Sequence, residues 1–323
     1  MEWWYIAGFL TTSATDEKFA FVSGFFSYSE HRRHKPGHML VSAIMRLPSE
    51  RIATVSLIDK ELRASAFVNL RRIVERGRAH EYAKAYYESL KRCEVPRPHK
   101  VADNSSFDYS DLFAQIGPNY LVRRGAGECG LHLEDENCVL ELDTKASKPA
   151  MLNGDNGILN LGLVKMNYYS YPRIEMSGLL SFRGRNLKVS GLGWLDHQWG
   201  DWLRFRDELF EDTRKSNPIA WHWFGIQLNN NLEINAYIPK HSIAGRSVKA
   251  SITASLQSGQ TMGLRGIEMR SHSTWQSLRT LKIYPVGWTI KAPDLDLSLE
   301  MESVVLMELP IFGPTLSLSL IHI

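Results

Sequence analysis

Apolar positions near the start of the chain come in short, dense runs. Residues 3–10 read Trp-Trp-Tyr-Ile-Ala-Gly-Phe-Leu, and two further runs occupy 19–28 and 38–47, with a turn-rich link at 11–16. Runs of this length, rich in aromatic and β-branched residues, predict strands. Gly8 and Gly24 interrupt them, as glycines do where a strand bends or another backbone comes close. Between about residues 65 and 93 the period changes. Phe67, Leu70, Ile73 and Val74 recur at helical spacing, and after Gly77 so do Tyr82, Ala85, Tyr86 and Leu90. Two short amphipathic helices are predicted, with Arg71, Arg72, Arg76, Arg78, Lys84, Lys91 and Arg92 on a solvated outer face. Pro96 and Pro98 close the segment.

From Tyr120 the pattern returns to short strands. Candidates lie at 175–182, 186–195, 219–228, 232–238, 248–256, 287–291 and 295–301, with turn signals every eight to twelve residues. Many short strands at this spacing predict a barrel or sandwich, because closure removes exposed edges. Asn153-Gly-Asp-Asn-Gly157 is the strongest turn signal and lies near mid-chain. The expected fold is therefore all-β, in two barrel or sandwich domains at 1–155 and 156–323, with a helical insertion at about 65–93 in the first.

Length and composition change this picture little. The 323 residues suit two domains, and 44% hydrophobic with 23% charged residues can bury a core. A formal net charge of +3 is too small for a nucleic-acid footprint. No apolar run is long enough to span a bilayer. A membrane surface is compatible with the sequence but not indicated, and the oligomeric state is left open. No leader pattern precedes Glu2, so the chain as written reads as cytoplasmic, and as periplasmic or secreted if a signal lies upstream. Cys93, Cys129 and Cys138 form no metal-type pairing, although Cys129 and Cys138 flank a candidate hairpin.

Three local motifs invite chemistry and are set aside on context. Gly125-Ala-Gly-Glu-Cys-Gly130 matches a dinucleotide fingerprint, but a phosphate loop must open a helix, and strand-like residues follow here. His31, His34 and His38 could ligate zinc, but Arg32, Arg33 and Lys35 would repel a cation, and a solvated hairpin loop is expected. Asn104-Ser-Ser106 fits a glycosylation acceptor, which matters only in a secreted eukaryotic chain. No cofactor and no metal site are expected.

The informative stretch is 189–201. Read as a strand, it places Ser190, Leu192, Trp194 and Asp196 on one face and Val189, Gly191, Gly193 and Leu195 on the other. His197, Gln198, Trp199, Gly200, Asp201 and Trp202 follow, and the aromatic strand Trp221-His-Trp-Phe-Gly-Ile-Gln227 lies a short connection away. An acid two residues from a tryptophan on one face is unusual for a plain core strand. Either a polar corner packs at a barrel end, or the cluster binds a ligand or performs catalysis.

These motifs resemble the carotenoid 1,2-hydratase (hydroxyneurosporene synthase)/AttH family. Glu2-Trp-Trp-Tyr5 with Gly8, Tyr168-Tyr-Ser-Tyr-Pro-Arg173 with Gly178, Gly193-Trp-Leu-Asp-His-Gln-Trp-Gly200, Trp221-His-Trp-Phe224 with Gln227-Leu228, and Tyr284-Pro285 with Trp288 follow the family's order along nearly the whole chain. The resemblance implies two lipocalin-like β domains and a lipophilic small-molecule ligand of polyene or isoprenoid type. It also implies hydration of a C=C bond or a related cyclisation. The helical segment departs from the hydratases. So does the tail 316–323, which makes the second domain read as truncated and residues from about 310 as loosely packed.

Hydrating an alkene requires an acid still protonated near neutral pH. A carboxyl such as Asp196 qualifies only if burial raises its pKa from about 3.9. Trp194, Trp199, Trp221 and Trp223 would offer indole faces to the cation. His197 is a candidate base, and Glu2 would pair with it or act as a second acid. Trp3, Trp4, Tyr5 and Gln227 complete the expected substrate lining. Asp196 and His197 are expected at or near one cavity shared with Trp3 or Trp4 and with at least one of Trp221 and Trp223. The alternative is a carrier that holds a lipophile without chemistry, with Asp196 structural.

Overall fold

The computed structural model describes residues 1–29, 35–48, 50–77, 81–160, 165–200, 221–239, 250–278, 281, 283–310, 312 and 317–322. Four strands come first: β1 (Glu2–Thr12), β2 (Lys18–Tyr28), β3 (Gly37–Arg46) and β4 (Glu50–Ile58). Helices α1 (Lys60–Glu75) and α2 (Glu81–Lys91) follow. Then come β5 (Lys100–Val101), β6 (Ser105–Asp108), β7 (Phe113–Ile116), β8 (Asn119–Gly125), β9 (Glu128–Asp135) and β10 (Cys138–Ala146). Short β11 (Met151–Leu152) and β12 (Ile158–Asn160) lead into the long strands β13 (Lys165–Phe182) and β14 (Arg185–Gly200).

These fourteen strands form one sheet in the order β5-β4-β3-β2-β1-β14-β13-β10-β9-β8-β7-β6, with β11 and β12 also on β13. The sheet curls into a half-barrel, bringing Trp4, Ile6, Phe19, Phe21 and Phe25 into one core with Leu121, Leu131, Leu140 and Leu180. On the outside, Ala7, Val22, Met39 and Val41 pack against Leu62, Leu70, Ala83, Tyr86 and Leu90 of the helices. This double burial is why β1–β3 read as continuous apolar runs. Strand β10, with one face in solvent, alternates instead. Gly8 faces Gly193 across the β1–β14 ladder, and a Cβ on either would collide with Met176 and the neighbouring backbone.

The helical insertion begins earlier than its apolar period predicts. Asp59 accepts the Leu62 N–H and caps α1, so the helix starts at Lys60. Gly77 ends it at φ +66°, as expected of a C-terminal glycine. The Asn153–Gly157 turn lies inside the first sheet, between β11 and β12, and not between two units. The ladder runs on through β13 and β14 to Gly200. A strong turn signal is local and does not tell a hairpin from a linker. Gly125–Gly130 is the β8–β9 hairpin, and Cys129 and Cys138 are free thiols.

The second unit holds β15 (Trp221–Gln227), β16 (Glu233–Pro239), β17 (Ser251–Ser255) and β18 (Thr261–Gly263) in one sheet. Another contains β19 (Glu268–Gln276), β20 (Ile283–Ala292) and β21 (Leu297–Glu302). Phe224, Ile234, Ile252, Trp288, Ile290 and Met301 form their common core. Strands β22 (Val305–Pro310) and β23 (Ser317–His322) pair with each other. Phe312 between them is buried against Tyr86 and His99 of the first unit, so the expected loosening beyond residue 310 fails at this residue. No helix among the described residues is long and apolar enough to cross a membrane.

Candidate functional site

Strand β14 lies between β1 and β13, with Asp196 opposite Tyr5 and Ser170, and His197 opposite Trp4 and Tyr169. The two-residue period of a strand sends adjacent side chains to opposite faces. Trp194, Asp196 and Gln198 therefore face outward, towards the second unit. Leu195 and His197 face into the half-barrel.

On the outer face the Asp196 carboxyl is 5% exposed and meets three neutral donors. The Ser170 hydroxyl and the Trp194 indole N–H donate to Oδ1, each at 2.6 Å, and the Tyr168 hydroxyl donates to Oδ2 at 3.0 Å. The second unit reaches into the same network. Trp223 donates its indole N–H to the Tyr168 oxygen at 2.8 Å, and Asn235 donates to it at 2.5 Å. The Asn153 amide donates to Ser170 Oγ at 2.8 Å. Burial raises the Asp196 pKa, the bonds from Ser170, Trp194 and Tyr168 oppose it, and the outcome is a carboxyl pushed up to about 7. Burial and the neighbouring Asp196 charge together keep the Tyr5 phenol protonated well above its usual range. Tyr5 and Trp194 each meet the Trp223 ring edge-on, at 5.3 and 6.0 Å.

An ionic clamp holds the second unit here. Glu233, fully buried, takes the Arg173 guanidinium on one oxygen at 2.5 Å and the Lys148 ammonium on the other at 2.6 Å. Lys148 also donates to the Asn231 and Leu256 carbonyls, and Arg173 to that of Leu228. Gln227 donates to the carbonyls of Pro172 and Gly193, beside the β13 bulge.

The inner face carries a row of rings. Trp4 stacks on His197 at 4.8 Å, His197 on Trp199 at 4.4 Å, and Tyr169 meets His197 edge-on. Glu2 binds His197 Nε2 at 2.8 Å. Two atoms of the row, Trp4 Nε1 and His197 Nδ1, are buried without a hydrogen-bond partner. Tyr109 also stacks on Trp4, at 6.4 Å.

The expected single site thus divides in two. Asp196, Trp194, Tyr5, Trp223 and Gln227 come together outside, and Glu2, Trp4, His197 and Trp199 inside. Trp3 faces outward but lies on Phe26, and Trp221, 36% exposed, stacks on Tyr237, the residue opposite Trp223 in the β15–β16 ladder. Asp201 and Trp202 lie outside the described residues, as do His31 and His34. His38 is not in a solvated loop but is buried in β3. Tyr168 and Ser170 stand in a motif the sequence flagged, at the two-residue spacing that signals a shared face. Asn153, Asn235 and Glu233 carry no such signal. Among the described residues no three His, Cys, Asp or Glu side chains converge as a metal set.

A family model described as AttH-like matches residues 1–308. The dehydratase asqC of Emericella nidulans is 22% identical over 176 residues, 52% of this chain and 46% of its own length, so the chain spans about half of that relative. Among solved structures, a Nitrosomonas europaea protein described as AttH superposes at TM-score 0.61 with 20% identity, covering 90% of this chain and 77% of that one. Kievitone hydratase from Nectria haematococca gives 0.63 at 15% identity, covering 94% and 76%. At these identities the structural likeness establishes the fold.

Proposed function

The chain belongs to the AttH-like family, and from that premise we propose that it adds or removes water at a carbon–carbon bond of a lipophilic small molecule, with Asp196 as the proton donor. The named hydratase and dehydratase among its relatives support water chemistry at this coarse level. The observation that carries the reading is the Asp196 carboxyl, buried among neutral donors with its pKa pushed up to about 7. Half-loaded with a proton at neutral pH, it suits general acid catalysis. Tyr5, Trp194 and Trp223 supply the ring faces that a developing cation needs, each contact worth roughly 0.5–2 kcal/mol. A polyene or isoprenoid alkene fits that lining.

In the hydration direction the proton moves from Asp196 to an alkene carbon, and water adds to the cation. The carboxylate left behind takes the proton that water releases. The same group acts as acid and base, because His197 lies on the other face of the sheet. To reach the carboxyl, substrate displaces the Tyr168 hydroxyl, whose oxygen stays held by Trp223 and Asn235.

One observation favours the carrier reading: all three donors around Asp196 are satisfied, as in a purely structural acid. Asp196→Asn separates the two. With isoprenoid polyenes in ¹⁸O-labelled water, the native protein is expected to place the label in product. The variant should lose that turnover by about 10²–10⁴-fold while still binding the polyene. Equal turnover in the variant would overturn the acid role, and binding without label in either protein would favour the carrier.

A further inference from the structure

The inner mouth of the half-barrel holds a second set of linked groups, independent of Asp196. Asp59 Oδ2 lies 2.7 Å from His38 Nδ1, and His38 Nε2 lies 3.1 Å from the Tyr109 hydroxyl. Ser27 Oγ is 2.7 Å from the same hydroxyl. The carboxylate is fixed from two further sides, with Ser105 donating to Oδ2 and the Leu62 amide to Oδ1, and Phe107 stacks on the His38 imidazole at 4.1 Å. Asp59, His38 and Ser27 are buried, whereas Tyr109 is 44% exposed.

The proton positions follow from this arrangement. Burial pushes Asp59 up, but its bonds from His38 and the Leu62 amide outweigh burial and hold it below the usual carboxylate range. An ionised Asp59 requires a proton on His38 Nδ1, which leaves Nε2 as an acceptor for the Tyr109 hydroxyl. Ser27 must then donate to the Tyr109 oxygen. One lone pair of that oxygen remains, on the half-exposed residue, and it asks for a donor. Behind it stands the Tyr109–Trp4–His197–Trp199 row, with Glu2 bound to His197. Two buried atoms of the row have no hydrogen-bond partner.

We propose that this mouth is a second small-molecule site, for an aromatic hydroxyl compound whose O–H Tyr109 deprotonates through His38 and Asp59. The step balances. The ligand proton moves to the Tyr109 oxygen, the Tyr109 proton moves to His38 Nε2, and the products are a phenolate and an imidazolium held by Asp59. The logic is that of a nucleophile oriented by a base that a third group orients in turn. No covalent bond to the protein forms.

The probe is 4-nitrophenol, whose phenolate absorbs in the visible. About one pH unit below the probe's own pKa, native protein is expected to bind it and raise the ionised-to-neutral ratio about tenfold, the equivalent of one pKa unit. Tyr109→Phe should keep the ring surface and lose the ionisation. Asp59→Asn, which preserves a good helix cap, should lose most of it as well. Leu278→Ala, at a side chain of the second unit that is 92% exposed, should change nothing. Failure of native protein to bind the probe would overturn the proposal. So would an unchanged ratio in Tyr109→Phe and Asp59→Asn, or loss of ionisation in Leu278→Ala.

Discussion

Asp196 and Asp59 are both aspartates buried against the same sheet, yet their charges are set in opposite directions. Asp196 is surrounded by hydroxyl and indole donors and rises to about 7. Asp59 has an imidazole and a backbone amide, and is held below the usual range. Both are nearly hidden from solvent, at 5% and 3% exposure, and burial pushes both upward, so exposure alone does not tell them apart. The difference lies in the partners: a protonatable ring can share positive charge with a carboxylate, whereas neutral donors only soften its desolvation. The outer face therefore has a group suited to giving a proton. The mouth has a carboxylate suited to supporting a cation formed beside it.

Opposite pH dependences are the sharpest test of this contrast. Asp196 has a raised folded pKa, so its contribution to stability is complete below about pH 4 and is lost as pH rises through about 7. Asp196→Asn, a neutral mimic, should be more stable than native protein at pH 8, by up to ~4 kcal/mol for a shift of about three units. The gap should close towards pH 4. Denaturant titrations at pH 4, 6 and 8 read this directly, and a gap that widens on acidification would show Asp196 to be ionised in the folded state.

Asp59 should behave in the reverse sense. Its lowered folded pKa makes its contribution present above about pH 4 and lost as pH falls through the folded value. Asp59→Asn should cost about 1–3 kcal/mol at pH 7, because His38 loses a charged acceptor. That cost should shrink in acid. A cost independent of pH would reduce Asp59 to a helix cap. The smallest effect is expected of Glu2→Gln, about 1 kcal/mol, since the amide can still hydrogen-bond His197 Nε2 in place of the carboxylate. A larger loss in thermal melts would place the inner pair among the groups that hold the fold.

Much of the frame was legible in the sequence. Apolar runs marked β1–β3, the change of period marked α1 and α2, and alternation put Trp194 and Asp196 on one face. The same alternation sends His197 to the other face, but grouping residues by nearness in the chain obscured it. Within a strand, neighbours one apart are the residues least able to share a site. Asp59 ahead of Lys60-Glu61-Leu62 is a readable cap, although its bond to His38 depends on the β3–β4 ladder. Asn235 and Glu233 were beyond reach, because their roles exist only once β16 docks on β13.

The clamp at Glu233 has a consequence for protein engineering. Both of its cations, Lys148 and Arg173, belong to the first unit, and the anion belongs to the second. A chimera that joins this first unit to a relative's second unit tolerates many exchanged surface residues, but an acid must stand where Glu233 does. Without it, two positive groups are trapped at a dry seam, and losing the partner of a buried charge typically costs 3–5 kcal/mol. Compatibility between halves can thus be screened at a single position before any shuffled gene is made.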